Sequence, residues 1–158
     1  VYIMRRTIWI TEDEQINEVI KSADTCSLAM VDENGKPYVI LMNFGYKDGV
    51  FYFHSDPKGK KIDCLRKNPS VSIALSTNHR YFHQNENVAC SYGLSYRSLY
   101  AQGEIEFIED KEQKIEALKI FMKQYSNKDF TFSDPAVNNV VVFILKPKEL
   151  KCKQYGKL

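Results

Sequence analysis

The stretch Phe53-His54-Ser55-Asp56-Pro57-Lys58-Gly59-Lys60-Lys61-Ile62-Asp63 concentrates the residue types that could do chemistry. Val50-Phe51-Tyr52-Phe53-His54 reads as a β-strand that delivers His54 and Ser55 to its end. Asp56-Pro57 reads as a helix N-cap followed by proline at the first helical position, with Ile62 and Leu65 as the buried face and Pro69 as the stop. Free backbone N–H groups, the positive end of the helix dipole and three lysines would then converge on one small volume, an anion site suited to a phosphate monoester. Gly59 would let the backbone approach closely. The same residues also describe an ordinary capped helix with a solvated lysine cluster, and this segment alone leaves both readings open. No GxxxxGK(S/T) pattern is present, so nucleotide binding through a P-loop has no support.

Residues 37–46 form a second unusual segment, an apolar strand interrupted by a single Asn43. An amide in such a run is either satisfied by neighbouring backbone or offered to a ligand. Gly45 hints at a bulge or at the close approach of something planar. His79 and His83 are spaced H-x3-H, with Cys90 seven residues further on, but no fourth ligand is in pattern and no metal is expected. A nucleophile built from Cys90 and His79, His83 or His54 lacks a local signature.

The elements that must position these residues are mostly strands. Thr11 and Glu14 read as a capping box for a helix that runs to about Ser22 with Ile16, Val19, Ile20 and Ala23 on its apolar stripe. Cys26–Val31, residues 37–46 and residues 50–54, joined at Asp32-Glu33-Asn34-Gly35 and Lys47-Asp48-Gly49, predict an antiparallel meander. Val71, Ile73 and Leu75 alternate with small residues, and residues 98–108 alternate with Leu99, Ala101, Gly103, Ile105 and Phe107 on one side. Between them, residues 77–97 read as a long connection, a length more often functional than idle. Asp110 and Gln113 cap a further helix with Ile115, Leu118, Phe121, Met122 and Tyr125 on its stripe, and residues 139–145 form a near-continuous apolar strand. About six strands and three helices predict a mainly β (α+β) fold, a small antiparallel barrel with peripheral helices.

Composition agrees. The 158 residues, 44% apolar and 27% charged, suit a single domain spanning 1–158 that buries roughly 69% of its surface without staples. The apolar and aromatic content excludes disorder, and 7 Gly with 5 Pro exclude a collagen-like chain. No apolar run approaches the roughly 18 residues of a membrane span. With 22 Lys+Arg against 20 Asp+Glu there is no basic excess to suggest nucleic-acid binding. Residues 1–6 lack the apolar core of a secretory signal, and Cys26, Cys64, Cys90 and Cys152 show no CxxC spacing, so reduced cysteines and a cytoplasmic location are expected.

Taken in order, the blocks Pro37-Tyr38-Val39-Ile40, Asn43-Phe44-Gly45-Tyr46, Tyr52-Phe53-His54-Ser55, Gly59-Lys60-Lys61-Ile62 and Asn68-Pro69-Ser70-Val71 resemble one family pattern. Cys90-Ser91-Tyr92, Tyr96-Arg97-Ser98-Leu99, Gly103 and Glu104 continue it. The pattern is similar to that of the nitroimidazole-resistance (Nim) proteins, a branch of the pyridoxamine 5'-phosphate oxidase-like, flavin-binding split-barrel superfamily, and it covers about residues 26–109. The resemblance implies a six-stranded split β-barrel and a homodimer with one FMN, or FAD, in each cleft between subunits. It implies that Tyr38, Val39, Ile40, Leu41 and Asn43 line the flavin through the backbone, with Phe53, His54 and Ser55 beside it. Lys60 and Lys61 would hold the phosphate, and Arg97 and Ser98 would approach the same cofactor, from this chain or from its partner. His54 would face the substrate as proton donor or positioning group. The implied activity is that of a flavin-dependent oxidoreductase passing electrons to a small planar acceptor such as a nitro group. A flavin-binding module without turnover, or a heme-binding one, is the alternative. The chain departs from the family at Leu41, where proline is common, and at Tyr92, where tryptophan is frequent. It also lacks the C-terminal arginine- and histidine-bearing motif of true pyridoxamine 5'-phosphate oxidases, which argues against vitamin B6 synthesis.

Overall fold

A computed structural model describes residues 7–157; the reading of residues 1–6 as lacking a secretory core lies outside them. Strand β1 (Thr7–Ile10) leads into helix α1 (Asp13–Lys21), which buries Val19 and Ile20. The capping box expected at Thr11 and Glu14 does not form: Glu12 is the N-cap and no side chain caps it. The buried stripe fixes the helix, and its exposed start shifts by one residue at little cost.

The meander follows as β2 (Cys26–Val31), β3 (Pro37–Met42), β4 (Gly45–Lys47) and β5 (Val50–Ser55). Asp32 fixes the first turn, its carboxylate accepting from the N–H groups of Asn34 and Lys36, both at 2.9 Å. Residues 37–46 are two strands rather than one, broken at Asn43 and Phe44. Helix α2 (Lys60–Lys67) packs Ile62, Cys64 and Leu65 into the core. Its N-cap is Gly59, not Asp56, with φ at 123°, a conformation only glycine adopts freely.

Strands β6 (Ser70–Phe82) and β7 (Gly93–Ile108) form a long hairpin, so the expected connection over 77–97 shrinks to 83–92 with a 3-10 turn at Ala89–Ser91. Past Thr77 the hairpin leaves the core, and Asn78, His79, Arg80 and Tyr81 are all exposed. Without a buried face the strand carries no alternation for sequence to reveal. Helices α3 (Lys111–Lys123) and α4 (Asp134–Asn138) and strands β8 (Val141–Leu145) and β9 (Glu149–Tyr155) complete the chain. Asp110 caps α3 as expected, accepting from the Gln113 N–H at 3.0 Å.

The class is the expected mainly β (α+β) one, with nine strands instead of six and four α-helices instead of three among the described residues. The strands run β3-β2-β6-β7-β8-β5-β4, and β9 pairs with both β7 and β1. Strand β7 joins two sheets: residues 96–102 pair with β9, and residues 105–108 pair with β8. The path ends at β3 and β4, which do not pair among the described residues, so the barrel is split there. Its interior holds Phe44, Phe51, Phe53 and Phe143, with Phe53 stacked on Phe143 at 5.1 Å. Val142 faces a second cluster with Ala117, Leu118 and Val137 beneath α3 and α4. Burial on both faces explains why β8 reads as an unbroken apolar run. No described helix is long and apolar enough to cross a membrane.

Candidate functional site

Strand β5 alternates: Phe51, Phe53 and Ser55 are buried, whereas Tyr52 and His54 are half-buried on the opposite face, towards α3. The His54 ring meets the ring of Phe121 edge-on, at 4.4 Å between centroids and 79° between planes. What brings α3 so near is Gly45: a Cβ there would lie 2.4 Å from the Phe121 Cα. The close approach expected at Gly45 is therefore that of a helix backbone. The Tyr125 hydroxyl, one residue past Gln124 at the end of α3, accepts from the Phe44 N–H at 3.0 Å and donates to the Asp24 carbonyl at 2.8 Å. That pair of bonds pins the break between β3 and β4.

Lys61 reaches the same region from the start of α2. Its Nζ lies 3.6 Å from the Met42 Sδ at the end of β3, the only hydrogen-bond partner it has among the described residues. A thioether is a weak acceptor for an ammonium. Burial pushes the Lys61 pKa down, and Asp56 partly offsets this. Burial also lowers the His54 pKa, with the Lys61 charge adding to the effect and Asp56 opposing it. His54 is thus held neutral around pH 7, able to donate through one ring nitrogen and accept through the other.

Lys60 goes elsewhere. Its Nζ is 3.9 Å from Asp32 Oδ2 and 4.4 Å from the centre of the Tyr38 ring. The convergence of lysines read from the sequence is reduced to Lys61 beside His54, with Lys58 exposed. On β3, Val39 and Leu41 point outwards, 62% and 73% exposed, while Tyr38 and Ile40 pack on the core. Among the described residues strand β3 pairs only with β2, which leaves its other edge without a strand partner there. Asn43 is exposed at the strand break, and the Phe53 side chain is sealed in the core, leaving only its backbone near the site.

Arg97 and Ser98 are not brought to His54 within one chain. Ile108 and His54 share the partner Val142, and Arg97 stands eleven residues back along β7, up to roughly 36 Å of strand. As consecutive strand residues they also face opposite sides. Arg97 Nε donates to Gln154 Oε1 at 3.3 Å, and Ser98 sits between Ser76 and Lys153 in register. Met42, Phe121 and Asp56 were not singled out from sequence as site residues. Met42 and Phe121 reach the site only through long-range packing, which leaves no local signal.

At the gap of the split barrel stand Lys61, half-buried and in contact with no carboxylate among the described residues, the half-buried His54 and the unpaired edge of β3. The model of the pyridoxamine 5'-phosphate oxidase family matches residues 12–154, and the chain belongs to that family. Within it the chain falls on the nitroimidazole-resistance branch. It is 39% identical to a candidate 5-nitroimidazole antibiotic resistance protein from Bacteroides thetaiotaomicron, with a TM-score of 0.85 over 96% of this chain and 89% of that one. The fold is shared with an FAD- and heme-binding protein from Mycobacterium smegmatis (TM-score 0.82, 13% identity, 93% of this chain and 73% of that one). It is also shared with an FAD-binding protein from Mesorhizobium loti (TM-score 0.65, 22% identity, 96% and 99%). No curated protein matches the chain.

Proposed function

We propose that the protein is a flavin-dependent oxidoreductase of the nitroimidazole-resistance type, working as a homodimer with FMN, or FAD, between its subunits and a small planar acceptor such as a nitroaromatic as substrate. The observation that carries this reading is the half-buried Lys61, whose Nζ lies 3.6 Å from a thioether and in contact with no carboxylate among the described residues, where β3, β5 and α2 meet. A cation partly stripped of water without an anion is costly unless a ligand brings one. A flavin phosphate fits that vacancy of charge, and the open edge of β3 with Val39 and Leu41 fits a flat ring that is apolar on its faces and polar at its rim.

The bound flavin would supply the electron transfer, accepting from a reduced donor and passing to the acceptor. Lys61 holds the phosphate by a charge-assisted hydrogen bond. The backbone of Tyr38, Val39, Ile40 and Leu41 orients the ring, and the Val39 and Leu41 side chains keep water from it. His54, steadied by Phe121, can hold one proton on the side facing the substrate. The separation of Arg97 from His54 within one chain supports a site completed by the partner. So does the outer face of the large sheet, where exposed Leu41 stands in one row with Ser27, Ala74 and Tyr100.

The test is an absorption spectrum of the purified protein with mass identification of the released chromophore, then anaerobic reduction and addition of a 5-nitroimidazole. Flavin bands and reoxidation faster than free reduced flavin are expected. A colourless protein that takes up neither FMN nor FAD would end the reading, and reoxidation at the solvent rate would leave a binding module. Because a flavocytochrome from Azotobacter vinelandii and the FAD- and heme-binding protein share the fold, a Soret band is the outcome that would favour heme.

A further inference from the structure

The side chain that meets the Lys61 ammonium is Met42, the last residue of β3. It is 6% exposed, and its Sδ lies 3.6 Å from the Lys61 Nζ. Pairing with β2 sets Met42 opposite Cys26, so the two sulfur-bearing side chains share the core face of the sheet. Burial pushes the Cys26 thiol up to about 12, so it carries no charge at neutral pH. Asp56 acts on Lys61 through its charge alone, with no ion pair formed between them.

Lys60, one residue earlier, is the contrast. Its Nζ is 3.9 Å from Asp32 Oδ2, a partner that restrains a lysine and cancels its charge at once. A thioether is uncharged and a weak acceptor. It restrains where an ammonium points and leaves the charge and the other N–H groups for a ligand. An untethered lysine gives up rotamer freedom when a ligand immobilises it, and in Lys61 part of that ordering is already complete. Methionine suits the task because its chain is unbranched and adaptable and sulfur is its one polar atom.

We infer that Met42 is a positioning residue: its sulfur holds the Lys61 ammonium in place without satisfying it, and so sets how strongly the site prefers a ligand with a phosphate over the same ligand without one. The inference rests on the proposed reading of Lys61 as the phosphate holder. Leucine fills nearly the same volume and offers no acceptor, so Met42→Leu separates the work of the sulfur from that of packing.

The experiment measures FMN and riboflavin affinity by flavin fluorescence in wild type, Met42→Leu, Lys61→Ala and the double variant, with each fold checked by circular dichroism. Riboflavin carries the ring without the phosphate. Met42→Leu should weaken FMN binding about three-fold or more and leave riboflavin within about two-fold. In the Lys61→Ala background the same change should leave FMN within about two-fold, because the sulfur acts only through the ammonium. Equal wild-type affinity for the two ligands, an unchanged preference for FMN in Met42→Leu, an equal loss of riboflavin, or a loss of FMN that persists without Lys61 would each overturn the inference. If wild type binds neither flavin, the function proposed above falls and the flavin-free protein decides the tether. There the Lys61 Cε resonance should shift and gain mobility in Met42→Leu, and a resonance identical to that of wild type would overturn it.

Discussion

Lys61 and His54 sit close enough that each alters the other, and replacing either reads out a different property. If Lys61 holds the flavin phosphate as proposed, Lys61→Ala removes a charge-assisted contact worth about 1.5–3 kcal/mol, and FMN affinity should fall roughly 10- to 150-fold in a fluorescence titration with the fold intact. Affinity equal to wild type would take Lys61 out of the site. His54 makes a prediction about the flavin-free protein. Burial, then Lys61, lowers its pKa in the fold, so the unfolded chain binds the extra proton more readily. The stabilisation is complete above the ordinary histidine pKa of about 6.5 and declines as pH falls from there towards the folded value. Denaturant midpoints measured between about pH 5 and 8 should fall on the acid side, and His54→Gln should flatten that slope. An unchanged slope in the variant would assign the effect to other groups.

At the scale of elements, α3 is what orients the histidine. Its backbone crosses β4 at Gly45, its Phe121 touches His54, and Tyr125 just beyond it pins Phe44. Gly45→Ala puts a Cβ 2.4 Å from the Phe121 Cα, against backbone that cannot swing aside. Overpacking of this kind costs about 1–3 kcal/mol, so thermal unfolding should drop by several degrees. The same change should shift the His54 ring resonances, because the displaced helix carries Phe121 with it. A variant as stable as wild type would mean that α3 relaxes freely. The sequence made these helices and strands legible wherever a buried stripe ran against an exposed one, as in α1, β2 and β7. It missed the outer hairpin at residues 78–82 and strands β1 and β9, where few side chains are buried and no buried face marks the alternation.

At the scale of the whole molecule, the distance between Arg97 and His54 becomes a statement about assembly. If each flavin takes Lys61 from one subunit and Arg97 from the other, Lys61→Ala and Arg97→Ala homodimers should both bind weakly. Mixed and refolded together one to one, they should regain about a quarter of the wild-type sites, because half the dimers are mixed and one of their two sites is intact. No recovery in the mixture would place both residues in one protomer or remove one of them from the site.

Taken alone, the sequence determined the turns, the alternation of the strands, the lysine-bearing helix and the ordered blocks that marked the family, because each depends on residues a few positions apart. Only the tertiary structure decided which lysine faces the site. Lys60 and Lys61 are adjacent in the chain but about 100° apart around the helix, and the burial of Ile62, Cys64 and Leu65 sets the phase. That phase turns Lys60 to Asp32 and Tyr38 and Lys61 to Met42 and His54. It likewise carried Arg97 far from His54. Such placements follow from how separate elements pack, and no local spacing encodes them.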